Sequence, residues 1–301
     1  MCLNPINAEL QEFGRPRFTP DGGLRLPCGK CYECIKKRSS EWALRARHEI
    51  ACHDENCFIT LTYSDEKLPG IFLVKDEFQK FMKRLRKHAK KPLRYMVSHE
   101  YGSNTFRPHH HAIIFGFNFP NQSFLKTTGK GEKIFTSPLL DSLWGNGHSS
   151  IGTANERTAY YIANYSLKGK RHELTDPSTG ELVTVTDSMD ASKRPAIGYN
   201  YLEQNYKQLV HSDEILPRFY IKKLEKIAPD LLEEYENSRS LKLKNRSSHE
   251  VYAKYIIDQQ KLQNSETVLR TAPEIGKEDT HYKNYLKTNR DEYHRQTKDK
   301  K

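Results

Sequence analysis

Apolar residues in this chain recur with two rhythms, a period of two and a period near four, and the switches between them mark out its elements. The run Cys57-Phe-Ile-Thr-Leu-Thr-Tyr63 reads as a central strand. Leu93 to Tyr101 and Pro108 to Phe115 read as two more strands, and the Gly, Ser, Asn and Pro between them supply hairpin-like turn chemistry. Phe78, Phe81, Met82 and Leu85 form the apolar stripe of an amphipathic helix. Thr158 to Lys168 has the pattern of a helix of about three turns. Between His172 and Arg194, the turn Asp176-Pro-Ser-Thr-Gly180 and the alternating Leu182-Val-Thr-Val-Thr186 predict an inserted hairpin. From about Leu224 the pattern is long, charged and helical, and from about Thr280 it has the composition of a disordered tail. Three regions follow: 1–50, a Cys-rich segment and helix; 51–225, which carries nearly all the strands; and 226–301, a charged helical extension. No internal repeat is visible.

The candidate chemistry sits on these elements. Side chains two apart on a strand share a face, so His109 and His111 point the same way, while His110 points to the other face as a bystander. Two imidazoles at the start of an apolar run suit a divalent cation, the alternative being ordinary hydrogen-bonded histidines. If the strands on either side of residues 102–108 pair antiparallel, Glu100 lies across the ladder from His109. Glu100, His109 and His111 then make a mixed carboxylate and imidazole set suited to Mg²⁺ or Mn²⁺ acting on phosphate. Taken alone, Glu100 reads as a solvated strand end.

Tyr161, Tyr165 and Lys168 stand at i, i+4 and i+7 on the third element, hence on one helix face. Core tyrosines beside a snorkelling lysine give the same pattern. The chemical alternative is a pair of nucleophiles beside a phosphate-binding cation, since a tyrosinate attacking a phosphodiester conserves bond energy in a phosphotyrosine.

Cysteines add a second cluster. Cys28, Cys31 and Cys34 have the spacing C-x₂-C-x₂-C, and Cys2 is available as a fourth thiolate, which points to structural Zn²⁺ rather than disulfides, with reduced thiols as the alternative. Cys52 and Cys57 read as buried thiols.

Charge then narrows the partners. A net charge of +11 and a pI near 9.2 favour polyanions. Basic residues gather at Lys36, Lys37, Arg38, Arg45 and Arg47, and again at Lys83, Arg84, Arg86, Lys87, Lys90 and Lys91. Within the second group, Lys83, Arg84, Arg86 and Lys87 are candidates for sequence-independent contact with DNA phosphates, though a charged helix face is commonly just solvated. No run is apolar enough to cross a membrane and no signal peptide is evident, so an intracellular protein is expected.

The order of Phe58-Ile-Thr-Leu-Thr-Tyr63, Pro108-His-His-His-Ala-Ile-Ile-Phe115 and Tyr161-x-x-x-Tyr165-x-x-Lys168 resembles the three motifs of HUH endonucleases, which initiate rolling-circle replication. Pro27-Cys-Gly-Lys-Cys-Tyr-Glu-Cys34, Ser40 to Glu49, Gly198 after Arg194-Pro195, and Leu216 to Leu224 are similar to replication initiators of the gokushovirus branch of the microviruses, over roughly residues 1–225. The family pattern has a hydrophobe where this chain has His110. The resemblance implies an α+β fold with an HUH endonuclease-like central antiparallel sheet flanked by helices, an N-terminal Cys-rich segment and a helical C-terminal extension.

It also implies roles. His109 and His111 match the metal-binding pair, Glu100 the acidic ligand, Tyr161 and Tyr165 the two nucleophiles, and Lys168 the basic residue that follows. The implied substrate is viral single-stranded or replicative-form DNA at the origin, in the host bacterial cytoplasm. No G-x-x-x-x-G-K-[ST] loop is present, so strand separation is expected to need a host helicase, recruited through the C-terminal part.

Two other classes compete. A zinc nucleobase deaminase is suggested by Cys28-x-x-Cys31 with His53 and Glu55, but the two halves of that signature stand in reverse order. A non-catalytic, zinc-containing basic DNA-binding protein explains the charge and the cysteines and leaves His109, His111, Tyr161 and Tyr165 without a role.

Overall fold

In the computed structural model, residues 2–11, 15–72, 75–102, 105–168, 171–176 and 179–240 are described. The chain divides into two compact units, one of Met1–Leu209 with Glu214–Tyr220 and one of Val210–Asp213 with Ile221–Lys301. The N-terminal segment and the strand-rich region therefore share the first unit. Residues 241–301, including the disordered tail expected from about Thr280, lie outside the described residues. No helix among the described residues is long and apolar enough to cross a membrane.

Two small sheets flank the chain's main one. The first joins β1 (Ile6–Leu10), β2 (Pro16–Phe18) and β3 (Leu24–Leu26), with β1 in the middle. The second is the hairpin of β10 (Arg171–Thr175) and β11 (Leu182–Thr186). The strands of the central sheet are β4 (Asn56–Thr62), β5 (Arg94–Tyr101), β6 (Pro108–Phe115), β7 (Ser123–Thr127), β8 (Lys133–Thr136), β9 (Ser149–Gly152) and β12 (Ser188–Ala191). All seven pair antiparallel, in the order β12-β5-β6-β4-β9-β8-β7. The inserted segment is thus more than a hairpin, because its last strand, β12, leaves to become the edge of the central sheet beside β5.

Strand alternation sends two sets of apolar residues to opposite faces. Leu61, Val97, Ala112 and Ile114 pack against Phe78, Phe81, Met82 and Leu85 of α2 (Lys75–Ala89), with α3 (Pro138–Trp144) adding Leu140 and Trp144. Met96, Ile113 and Phe115 meet Ala43 and Ala46 of α1 (Tyr32–Ala51) and Ala159, Ile162 and Ala163 of α4 (Glu156–Lys168). Each fully buried large side chain contributes about 1.5–3 kcal/mol. The alanines matter for shape, since they let α1 and α4 lie close on one face.

Two charged residues organise the α1 face. Glu49, wholly buried, pairs with Arg94 at 2.5 Å and His53 at 3.2 Å and accepts the Gly198 backbone N–H at 2.7 Å. Gly198 has φ +78°, and a Cβ there would lie 2.9 Å from the Arg45 carbonyl oxygen, so only glycine suits the position. Arg45 is stacked between Trp42 and Phe219, its guanidinium 4.1 and 4.2 Å from the ring centroids. Arg47 pairs with Glu214 and Glu156. Both arginines of the early basic group are therefore committed to structure.

His110 faces the α2 side, as strand alternation requires, and it is not idle there. Its Nε2 lies 3.1 Å from the Tyr63 hydroxyl and its Nδ1 2.8 Å from Nδ1 of His99, whose Nε2 lies 3.5 Å from Asp190. Both histidines are fully buried, and burial lowers the affinity of each for a proton, as it does for His48 between Tyr220 and Glu214. Their folded pKa values lie below the unfolded value of about 6.5, so the unfolded chain protonates first. The stability they permit is present above about pH 6.5 and is lost as pH falls below it. Thermal unfolding followed by circular dichroism should therefore show Tm falling below about pH 6.5, before carboxylates titrate. A flat Tm down to about pH 5 would contradict this.

Candidate active site

The β5–β6 ladder sets Glu100 directly opposite His109 and Ser98 opposite His111, while β4 sets Thr60 opposite His111. All of these side chains lie on the α1–α4 face. One ligand atom from each of Glu100, His109 and His111 falls within 4.8 Å of the others, which is a group able to hold a metal ion.

Neighbours fix each member. His109 donates from Nδ1 to the Arg107 carbonyl at 3.0 Å, which leaves Nε2 with its lone pair. The His111 Nδ1 lies 2.9 Å from the Thr60 hydroxyl, and its ring stacks on Phe58 at a centroid distance of 5.6 Å. Ser98 donates its hydroxyl to Glu100. Burial lowers the His109 pKa and holds His111 down to about 3, so both imidazoles are neutral at neutral pH. Burial pushes Glu100 up to about 7, the Asp187 charge adds to this, and the Ser98 hydrogen bond opposes it. Without a counter-charge, a buried carboxylate beside two neutral imidazoles is costly; a dication reverses that balance.

The Tyr161 hydroxyl lies 3.4 Å from Nε2 of His111, with the two rings edge to face at 5.2 Å. Its placement follows from the start of α4. Asn155 accepts the Thr158 N–H at 2.9 Å and donates its own N–H to the Thr158 hydroxyl at 3.0 Å, a reciprocal cap. Tyr165 and Lys168 stand one and about two turns further along α4, and their side chains lie outside the described residues.

The thiols of Cys2, Cys28, Cys31 and Cys34 form the second group able to hold a metal, again within 4.8 Å of one another. Burial raises the Cys31 thiol, but hydrogen bonds from the Leu3 and Cys34 backbone and the Cys34 and Cys28 thiols outweigh it and bring it to about 6. Burial pushes Cys34 up to about 12, with the Cys31 charge in support. His53 pairs with Glu49 and is not among this group, so the deaminase arrangement is not assembled.

Lys83, Arg84, Arg86 and Lys87 are carried by α2, on the opposite face of the sheet from the Glu100 cluster. Arg84 donates to the Leu143 and Trp144 carbonyls at 2.7 and 3.1 Å, and Arg86 donates twice to the Leu93 carbonyl at 3.1 and 2.9 Å. Lys83 and Lys87 are exposed. Four supporting groups went unnoticed in the sequence: Thr60, Ser98, the Arg107 carbonyl, and Asp187, which accepts the Tyr101 N–H at 3.1 Å and pairs with His172 at 3.3 Å. Only the polar positions of the strand alternation hint at Thr60 and Ser98.

Comparison with known proteins bears on the whole of this region. The family model for replication-associated protein ORF2 and its relatives matches residues 56–170, from β4 to just past the end of α4. Replication-associated protein VP4 of Bdellovibrio phage phiMH2K is 31% identical over 266 residues, covering 81% of this chain and 83% of that protein. Replication-associated protein ORF2 of Spiroplasma virus 4 is 30% identical over 280 residues, covering 82% and 85%. Replication-associated protein ORF4 of Chlamydia phage 1 is 28% identical over 249 residues, covering 76% and 62%. No solved structure matches. The chain belongs to the phage replication-associated proteins, the microvirus-like rolling-circle replication initiators.

Because Thr60 orients His111, Thr60→Val should lower affinity for Mn²⁺ about 10–100-fold with little change in Tm. Calorimetric titration checks this, and unchanged affinity would remove Thr60 from the site.

Proposed function

We propose that this protein nicks and rejoins one strand of viral DNA at the replication origin by tyrosine transesterification, as an HUH endonuclease of the two-tyrosine class. The observation that carries the reading is the Tyr161 hydroxyl 3.4 Å from His111 Nε2, beside a carboxylate and a second imidazole on the same sheet face. A non-catalytic binding module has no need to gather a buried Glu100, two neutral imidazoles and a phenol at one place.

In this reading the Tyr161 oxygen attacks the scissile phosphorus in line. The bond from phosphorus to the 3′ oxygen breaks, the 3′ end takes up a proton, and the 5′ phosphate remains as a tyrosine ester. Tyr165, one turn along α4, makes the equivalent attack in the second round, and the free 3′ hydroxyl reverses the first step to rejoin the strand. Lys168 lies on the same helical stripe and balances charge gathering on the phosphate. Glu100, His109 and His111 would hold Mg²⁺ or Mn²⁺, and Thr60, Ser98 and Arg107 keep their ligand atoms aimed inward. What such a cation supplies when bound is polarisation of a non-bridging phosphate oxygen. The site of action in this reading is the cytoplasm of the bacterial host, with strand separation left to a host helicase.

The four thiols fit Zn²⁺. Tetrahedral zinc with Zn–S of about 2.3 Å separates its sulfurs by about 3.8 Å, and Cys2 Sγ lies 3.8 Å from Cys31 Sγ. The role is structural, tying the start of the chain to the N-terminus of α1. Elemental analysis should find one zinc per chain, and Cys34→Ser should lose it together with several degrees of Tm; full stability in a zinc-free protein would exclude the site.

For the chemistry, single-stranded origin DNA with Mn²⁺ should yield a covalent protein–DNA adduct on a denaturing gel. EDTA should abolish it, Tyr161→Phe should reduce it about 100-fold or more, and the Tyr161→Phe/Tyr165→Phe double variant should form none. An adduct in the double variant, or none in the wild type while DNA is still bound, rejects the nickase in favour of the binding module.

A further inference from the structure

We infer that a cationic groove at the far end of β5 is a second DNA-backbone site, built by Lys193 and Arg194 together with Arg86. The groove encloses about 690 Å³ and is lined by Gln79, Arg86, Arg94, Tyr95, Lys193 and Arg194 among others, with Asp190 as its only carboxylate. Asp190 is already engaged by Lys75 at 3.5 Å and lies 3.5 Å from Nε2 of His99. Arg94 is neutralised by Glu49. Three cations remain uncompensated, on Arg86, Lys193 and Arg194, and the last two are exposed and have no acidic partner among the described residues.

The floor of the groove is preorganised. Arg86 is held by the Leu93 carbonyl and lies 5.7 Å from the Tyr95 ring centroid, while Gln79 donates to the Tyr95 hydroxyl at 3.0 Å. The Ser192 N–H donates to the Tyr95 carbonyl at 3.0 Å, and the Tyr95 N–H donates to the Ser192 hydroxyl at 3.1 Å. That exchange fixes the segment carrying Lys193 and Arg194 against β5. Exposed Lys87, Lys90 and Lys91 continue the positive charge along the end of α2. A cavity this large, with cations spread along it, suits consecutive phosphates of a chain better than one small anion.

Its position says which DNA it takes. Arg94 and Glu100 stand six residues apart on β5, so the groove lies about 20 Å from the candidate cleavage centre. That is about six base pairs of B-form duplex at about 3.4 Å each. The groove therefore holds the duplex that flanks the cleaved strand. The inference rests on the DNA-processing reading only for the identity of the polyanion.

Binding is measured by fluorescence anisotropy in EDTA, so the result does not depend on whether the chain cleaves. The probes are a labelled duplex several helical turns long, the corresponding single strand, and an oligonucleotide shorter than about six nucleotides. Lys193→Ala/Arg194→Ala is compared with wild type and with Lys126→Ala/Lys133→Ala, an equal loss of charge on the exposed β7–β8 hairpin. The groove variant should bind the long duplex about tenfold or more weaker, with the log–log salt slope reduced by about two. Its affinity for the short oligonucleotide should change less than about twofold. Equal losses in both variants, equal losses on short and long probes, or a loss confined to the single strand would each overturn the duplex site. Absence of a covalent adduct alongside a normal groove phenotype would reject the nickase and leave this site standing.

Discussion

Everything at the candidate site depends on the register of one hairpin. With Glu100 opposite His109 and Ser98 opposite His111, a carboxylate and two imidazoles share one face of the β5–β6 ladder. A slip of one residue would send all of them to the α2 side and expose the apolar set Met96, Ile113 and Phe115 to the wrong neighbours. The hydrophobic pattern of the two strands therefore fixes the chemistry, because the same alternation that buries the core aims the ligands.

The central sheet uses its two faces differently. The α2 face is almost wholly apolar, and its buried polar chain of Tyr63, His110 and His99 is internally satisfied except where it reaches Asp190 at the edge. The α1–α4 face gives up bulk for proximity. Alanines at Ala43, Ala46, Ala159 and Ala163 bring α4 close enough for Tyr161 to meet His111. Stability is concentrated on one side, and the groups that a metal and a phosphate require are gathered on the other.

Burial sets the electrostatics of that second face. It holds His109 and His111 neutral and makes the Glu100 charge unfavourable, so the site favours a bound dication over any protonated alternative. The basic residues divide in the same practical way. Arg45, Arg47, Arg84 and Arg94 hold the fold together, whereas the exposed lysines of α2 with Lys193 and Arg194 are left facing solvent. A high net charge identified a basic protein without saying which cations were free.

By itself, the sequence determined the three central strands, the two-apart geometry of His109 and His111, the cysteine spacing, and the helix carrying Tyr161, all of which follow from local periodicity and turn chemistry. Local pattern does not encode which strand lies beside which, and so the tertiary structure alone decided the rest. It placed Thr60 against His111, sent β12 to the sheet edge beside β5, and gave His110 a partner in His99. It put α2 and its basic residues on the face away from Glu100, and it drew Lys193 and Arg194 to Arg86 from a distant part of the chain. Those placements are set by packing between elements distant in sequence, whose energies depend on the shape of the assembled core and have no signature in any single stretch of residues.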